Sequence, residues 1–381
     1  MDFGLSDEQR DIMRMTREFT NERIAPRARE WDREHGIPAE VFAELGALGL
    51  WGVCVPEEYG GAGADYLSFI IVLEELSRGD AGLGVTVAVN TSLATLPILD
   101  YGTEEQKLEW VPRLATGEVI GAYALTEPGA GSDAASIATT ARRDGDGYRL
   151  NGAKQFVTNA GIAGVFIVMA RTGEPGGGSK GITAFIVDAK TEGLTLGREE
   201  EKLGINSSST RGLTFEDARV PGSAVLGSEG EGFGIAMATL DGGRIGIAAQ
   251  AVGIAQAAME TAVAYAKERR QFGQSIAEFQ GIRWKLADMD RDIDAARLLT
   301  YRAAWLKMMG RPVTAAGAKA KLFASEMARR HTAEAVQVLG GYGYTKEFPA
   351  ERFYRDAKIT EIYEGTSEVQ RIVISRELLG A

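Results

Sequence analysis

The chain has 381 residues, 45% of them hydrophobic and 25% charged, the mix of a soluble globular protein with roughly two or three domains. A formal net charge of −11 repels phosphate backbones, so no nucleic-acid partner is expected. The single cysteine excludes an internal disulfide, and two histidines without a ligand at metal spacing argue against a metal site and against Ser-His or Cys-His nucleophiles.

The N-terminal stretch MDFGLSDEQRDIMR lacks the apolar core of a signal peptide, and no uncharged apolar run reaches the roughly 18 residues of a spanning helix. A cytoplasmic address without a membrane span is therefore expected. Residues 1–120 read as an all-α domain. Ser6 precedes Gln9 at capping-box spacing, and Ile12, Met15 and Phe19, then Val41, Phe42, Leu45 and Leu48, recur at helical intervals. Cys54, in LWGVCVP, reads as an inert core thiol. YLSFIIVLEELSRGDAG is apolar nearly all round and predicts a helix deep between neighbours.

From 121 to 232 the pattern changes to strands. YRLNGAKQFVTN contains Asn151-Gly152, which predicts a two-residue hairpin turn. GVFIVMART, GITAFIVDA and RGLTFEDARVP are further short β-rich runs, and GEPGGGSKG reads as a flexible loop between two of them. The expected domain is an antiparallel β-barrel or sandwich. From 233 to 381 helix returns. Ile245, Val252, Met259 and Val263 mark one stripe, Ile282, Leu286, Met289, Ile293 and Ala296 a second, and further helices are expected over 313–339 and 367–379. Four long helices imply a bundle.

Several motifs admit more than one reading. GAGSDA, residues 129–134, matches a dinucleotide fingerprint, but Pro128 interrupts its approach and an NG turn follows where a long helix is required. It can still present backbone N–H groups to a phosphate or a flavin edge, or be an ordinary surface turn. GGGSK has the wrong order for a phosphate-binding P-loop. In LDGGR, Asp241 and Arg244 fit either the N-terminal turn of a helix or the mouth of a ligand pocket. KERRQFG is a basic cluster beside Phe272. In IYEGTSEVQR, Gly365 could end one helix and Thr366 or Ser367 cap the next, or the junction could hold Glu364 for proton abstraction.

YALTEPGAGSD, FVTNAG, LDGGRIGIAAQAVG, ERRQFG, QVLGGYGY and RDAKITEIYEGTSEVQR, in that order and spacing over nearly the whole chain, resemble the acyl-CoA dehydrogenases, most closely the short-chain, butyryl-CoA branch. The resemblance implies an all-α N-terminal domain, a β middle domain and a C-terminal helical bundle in a homotetramer, with FAD at the domain junction. It implies that Glu364 is the catalytic base. Tyr123, Leu125, Thr126, Gly131 and Ser132 would line the flavin and its phosphates, Phe156 and Thr158 the isoalloxazine ring, and Thr366 and Glu368 would again touch the cofactor. Arg269, Phe272, Gln280, Gln337 and Gly341 would reach the FAD of a neighbouring subunit. Ser132, Asp241, Arg244, Tyr363 and Gly365 would contact acyl-CoA.

The resemblance further implies α,β-dehydrogenation of a short-chain acyl-CoA to trans-2-enoyl-CoA. Glu364 takes the α-proton, flavin N5 takes the β-hydride, and electrons pass to electron-transferring flavoprotein. The chain departs from many relatives in having Phe156 for Trp, and from some in having Glu368 for Gln. The isovaleryl-type branch carries its base at the position of Gly243, which here has no side chain. An acyl-CoA oxidase, a branched short-chain dehydrogenase and a binding protein on the same scaffold stay open as alternatives.

Overall fold

The computed structural model describes residues 4–174 and 177–380; Pro175 and Gly176 of the GEPGGGSKG loop, with Met1–Phe3 and Ala381, lie outside the described residues. The N-terminal part is helical: α1 (Asp7–Phe19), α2 (Ala28–Glu34), α3 (Ala39–Ala47), α4 (Tyr66–Gly79), α5 (Ala81–Ala88), α6 (Leu96–Tyr101) and α7 (Glu104–Ala115). The expected capping box starts α1: the Gln9 amide donates to Ser6 Oγ and the Ser6 amide to Gln9 Oε1, at 3.1 and 2.9 Å. As its composition predicts, α4 is buried on nearly every side. Asp80 ends α4 and caps α5, accepting from the Leu83 amide at 2.7 Å. Between α5 and α6 the backbone of Val89–Thr95 widens to a π-helix, a distortion that recurs near functional sites. Cys54 is half-buried rather than fully in the core, and burial pushes its thiol up to about 12, which keeps it protonated near neutral pH.

The middle part is one sheet of β1 (Gly121–Ala124), β2 (Thr140–Asp144), β3 (Gly147–Thr158), β4 (Val165–Arg171), β5 (Ile182–Asp188), β6 (Leu194–Glu199), β7 (Thr210–Pro221) and β8 (Val225–Leu226). The strand order is β6-β7-β3-β2-β4-β5-β8, with β1 beside β4. Most neighbours are antiparallel; β1 and β2 run parallel to β4. The hairpin turn differs from its expected place. Gly145 and Asp146 connect β2 to β3, and Asn151-Gly152 lies inside β3 at a register shift. Gly152 is needed there for another reason: its φ is 144°, and a Cβ would lie 2.7 Å from Thr139.

β4 is buried on both faces. Phe166, Val168 and Ala170 pack with Tyr148, Leu150, Phe185 and Phe215. Val165, Ile167 and Met169 pack with Ile98, Trp110 and Leu114 of α6 and α7. The sheet is thereby fixed against the N-terminal helices.

The C-terminal part begins with α8 (Gly232–Glu268), followed by a small hairpin, β9 (Arg270–Gln271) and β10 (Gln274–Ser275). Then come α9 (Gln280–Met308), α10 (Thr314–Leu339), α11 (Ala350–Ile359) and α12 (Ser367–Leu379). α8 packs against α10, α9 and also α4. One core therefore runs from Phe69 and Leu73 through Ile245 and Val252 to Met289 and Met327. The expected three-part architecture is the one observed. The membrane expectation needs a correction: Ala81–Tyr101 and Gly232–Glu268 are both long and apolar enough to cross a bilayer by length and composition. Polar Asn90, Thr91 and Ser92 interrupt the first apolar run but leave its mean hydropathy at 1.5; 89% and 67% of the two windows are buried inside the fold.

Candidate active site

α11 stops at Ile359 and α12 restarts at Ser367, with Thr366 Oγ1 accepting from the Val369 amide at 3.2 Å. The Thr366 cap is as expected, but Gly365 does not end a helix: α11 has already stopped at Ile359, and the turn between the two helices presents Glu364. Glu364 and Gly365 have φ of 52° and 91°, two successive left-handed residues. A non-glycine residue in that region costs about 1–3 kcal/mol and needs support. The support is visible: Lys321 Nζ donates to the Gly365 carbonyl at 2.6 Å, and Gln370 Nε2 donates to the same oxygen at 2.8 Å. The preceding Tyr363 hydroxyl donates to Gln250 Oε1, and Gln250 Nε2 donates to the Ala81 carbonyl at 2.8 Å.

The Glu364 carboxylate points inward. Its Oε2 is shielded from solvent and has no hydrogen-bond partner among the described residues. Burial pushes the carboxyl up to about 7, against the pull of the Lys321 and Arg244 cations. From β1, the Tyr123 hydroxyl is also buried without a partner, and burial and the Glu364 charge both raise its pKa. From α4, Tyr66 donates to the Gly242 carbonyl at 3.1 Å. Side chains from α4, β1, α8 and α10 therefore converge on one carboxylate.

Two adjacent glycines on α8 make room. A Cβ on Gly242 would lie 3.0 Å from Lys307 Nζ, which stacks over Tyr66; a Cβ on Gly243 would lie 2.0 Å from Glu364 Oε2. Arg244 does not lie in the first turn of a helix, the blander of the two readings of LDGGR. α8 starts at Gly232, so Arg244 is well inside it and only 5% exposed. Arg244 Nη1 donates to Asp241 Oδ1 at 2.6 Å, and Thr314 Oγ1 donates to Asp241 Oδ2 at 2.6 Å. Arg244 Nε is buried without a partner. Burial lowers the guanidinium pKa, opposed by Asp241 and Glu364.

The Gly-rich loop is tied at its base. Glu127 accepts from the Ala138 and Thr139 amides at 2.6 and 2.9 Å and from the fully buried Lys154 ammonium at 2.7 Å. Burial opposes the Glu127 charge, but Lys154 and the amides hold its carboxyl below the usual range. Beyond this anchor Leu125 is buried and Thr126 half-buried, while Gly131 and Ser132 are exposed. The loop leads into a short turn and β2, not into a long helix. On β3, Phe156 is 64% exposed at a φ of 56°, and Thr158 is half-buried. Thr366 is half-buried and Glu368 exposed on the first turn of α12.

Arg269, Phe272, Gln280, Gln337 and Gly341 are all exposed. Arg269 and Gly341 line a cleft of about 490 Å³ with Tyr265, Val338 and Tyr342. At 1.5 Å per residue Arg244 and Arg269 are about 37 Å apart along α8, and Lys321 and Gln337 about 24 Å apart along α10. The structure does not bring this group to Glu364 within one chain.

Residues 6–118, 122–218 and 230–379 match the family descriptions for the N-terminal, middle and C-terminal domains of acyl-CoA dehydrogenase. The chain belongs to the acyl-CoA dehydrogenase family. It is 51% identical to "Acyl-CoA dehydrogenase, short-chain specific" of Clostridium acetobutylicum, over 99% of this chain and 100% of the relative. The structure of butyryl-CoA dehydrogenase from Megasphaera elsdenii is similar to it at a TM-score of 0.98, with 48% identity and full coverage of both chains. A chain in a structure described as "Electron transferring flavoprotein of Acidaminococcus fermentans: Towards a mechanism of flavin-based electron bifurcation" superposes at 0.98, with 50% identity and full coverage of both. As an acyl-CoA dehydrogenase the chain is an oxidoreductase.

Sequence reasoning missed Lys321, Gln370, Gln250 and Tyr66. The signal for Lys321 was present: in AAGAKAKLFASEMA it shares a helical stripe with buried Gly317, Ala318, Ala324 and Ala328, where a charge needs a reason. Gln250 gave a similar one, a fully buried amide in the apolar run of α8, where Gln256 is only half-buried.

Proposed function

We propose that this acyl-CoA dehydrogenase converts a short-chain acyl-CoA to its trans-2-enoyl-CoA with Glu364 as base. The observation that carries the reading is the shielded, unpartnered Glu364 Oε2, whose carboxyl is pushed up to about 7. A base of that pKa is deprotonated enough near neutral pH to act, and basic enough to accept a proton in a dry site. The α-hydrogen of a thioester is a very weak acid, so the developing enolate oxygen needs donors; the Glu364 amide would be one of them. Tyr123, Leu93 and Tyr66 lie around the carboxylate and would keep water from it.

The surroundings fit FAD. The unpartnered Tyr123 hydroxyl, the exposed Phe156 ring and open space beside Gly129 and Gly131 suit a flat ring with a polar edge and a phosphate tail. Tyr123, Leu125, Thr126, Gly131, Ser132, Phe156, Thr158, Thr366 and Glu368 would hold it. Bound FAD supplies the acceptor for the β-hydride. Asp241, Arg244, Ser132, Tyr363 and the Gly365 backbone would hold acyl-CoA. Arg269, Phe272, Gln280, Gln337 and Gly341 would serve a neighbouring copy in a homotetramer. Electron-transferring flavoprotein is the proposed acceptor, in keeping with the Acidaminococcus fermentans structure.

A short acyl chain suits the path along α8. Past Gly243, a Cβ on Gly246 would meet Leu73 at 3.2 Å and Ala88 and Ser92 at 3.9 Å. One turn further, Gln250 is tied to Tyr363 and Ala81. Gly243 and Gln250 are thus about 10 Å apart along the helix, which limits the depth available.

The test is Glu364→Gln. The variant is expected to purify yellow yet not to be bleached by butyryl-CoA without air, whereas bleaching at the wild-type rate overturns the assignment.

A further inference from the structure

We propose that Lys321 is the positioning residue of the base: its ammonium clamps the Gly365 carbonyl and thereby aims the Glu364 carboxylate into the space left by Gly243. The proposal rests on Glu364 being the base. Lys321 projects from the N-terminal half of α10 and is 0% exposed. A buried ammonium is costly unless it is paired. Yet no carboxylate lies within 4.0 Å of it among the described residues; its hydrogen-bond acceptor is the Gly365 carbonyl, one residue past Glu364. The charge that most offsets the burial of Lys321 is Glu364 itself.

α10 holds the same segment a second time. Ser325 Oγ, one turn after Lys321, donates to the Thr360 carbonyl at 2.8 Å. One helix face therefore fixes residues 360 and 365, the two ends of the strained segment that carries the base. Gln370 from α12 shares the Gly365 carbonyl but adds no charge. Lys321 thus combines a geometric and an electrostatic role, and these separate by mutation.

The charged and titratable groups facing Glu364 are Lys321 from α10, Arg244 from α8, Tyr66 from α4, Tyr123 from β1 and Tyr363 of its own turn. Lys321 also faces Glu361 and Glu368. Removing the Lys321 cation leaves Arg244 as the remaining positive group beside Glu364. The carboxyl must then titrate higher, and a rate that needs its charged form must rise at higher pH.

Lys321→Met and Gln370→Leu test this in the FAD-loaded protein, beside wild type and Glu364→Gln. The measurements are anaerobic bleaching by butyryl-CoA across pH, and calorimetric binding of a thioether analogue that has no acidic α-hydrogen. Lys321→Met is expected to bind the analogue within about threefold of wild type and to bleach about 10²-fold more slowly near neutral pH, with the acid limb of the profile moved upward. Gln370→Leu is expected to slow bleaching without moving that limb. A wild-type rate and profile in Lys321→Met overturns the proposal, and so does slow bleaching with an unmoved limb. If Lys321→Met yields no yellow protein, Gln370→Leu decides: slow bleaching with an unmoved limb supports the clamp, and a wild-type rate overturns it. Bleaching by Glu364→Gln would instead remove the base assignment on which the clamp rests.

Discussion

Gly243 and Glu364 compete for one space: a methyl group on Gly243 would lie 2.0 Å from Glu364 Oε2 and 3.0 Å from Leu93 Cδ2. The carboxylate can approach α8 because that position has no side chain. Gly243→Ala is therefore expected to keep FAD and to lose about 10²-fold in the rate of anaerobic flavin reduction, the usual cost of moving a reacting group by an ångström. Because a side chain at 243 points into the same space, Gly243→Glu combined with Glu364→Gly should recover part of that rate. Stopped-flow absorbance checks both.

The raised Glu364 carboxyl also sets a stability trade. Its folded value, about 7, lies above the ordinary 4.5, so the fold favours the neutral form. The folded state then binds more protons than the unfolded one, and stability falls as pH rises from about 4.5 to about 7. Glu364→Gln removes this burden. Its melting temperature is expected to exceed wild type at about pH 8 and to match it more closely at about pH 5, measured by calorimetry with a fixed FAD concentration.

Arg352 joins all three parts of the chain. From α11 its Nη1 reaches Asp80 Oδ2 at 3.4 Å and Asp356 Oδ2 at 3.9 Å, while Nη2 donates to the Gly79 carbonyl at 3.2 Å. Ser207 and Ile205, in the loop before β7, bind the same two aspartates at 2.6 Å each. Burial raises both carboxyls, that of Asp356 to about 7, against the pull of Arg352. Arg352→Met strands two buried carboxylates and should cost about 3–5 kcal/mol in chemical denaturation. The loss should be smaller at about pH 5, where the stranded groups take up protons.

Lys154 should matter to the cofactor and not to the proton. It anchors Glu127 and, through it, the loop of Gly129–Ser132. Lys154→Met leaves Glu127 buried without its cation, a loss of about 3–5 kcal/mol if the loop stays closed. The expected outcome is weaker FAD retention on gel filtration, with an unchanged pH midpoint of bleaching in the fraction that stays yellow.

Much of this architecture is legible in the sequence, for physical reasons. The switch from 3.6-residue to two-residue periodicity and back marks the three parts, and the helices expected over 313–339 and 367–379 end within a residue of α10 and α12. Asn151-Gly152 misled because positive φ serves a strand irregularity as readily as a turn. The burial of Arg244 was hidden because α8 is apolar on most sides and lacks a side-chain cap, so its start could not be placed. The Asp80–Arg352 contact spans 272 residues and leaves no local pattern. Glu364 was found through the family resemblance. Its shielding and its left-handed turn are tertiary facts that no spacing reveals.

The most direct measurement is anaerobic single-turnover bleaching by butyryl-CoA, recorded for wild type and Glu364→Gln from about pH 5 to about pH 9. With Glu364 as the base, the wild-type rate rises through one ionisation near 7, and the variant, though yellow, stays unbleached throughout. A wild-type rate independent of pH, or a variant that bleaches along the wild-type curve, would contradict it.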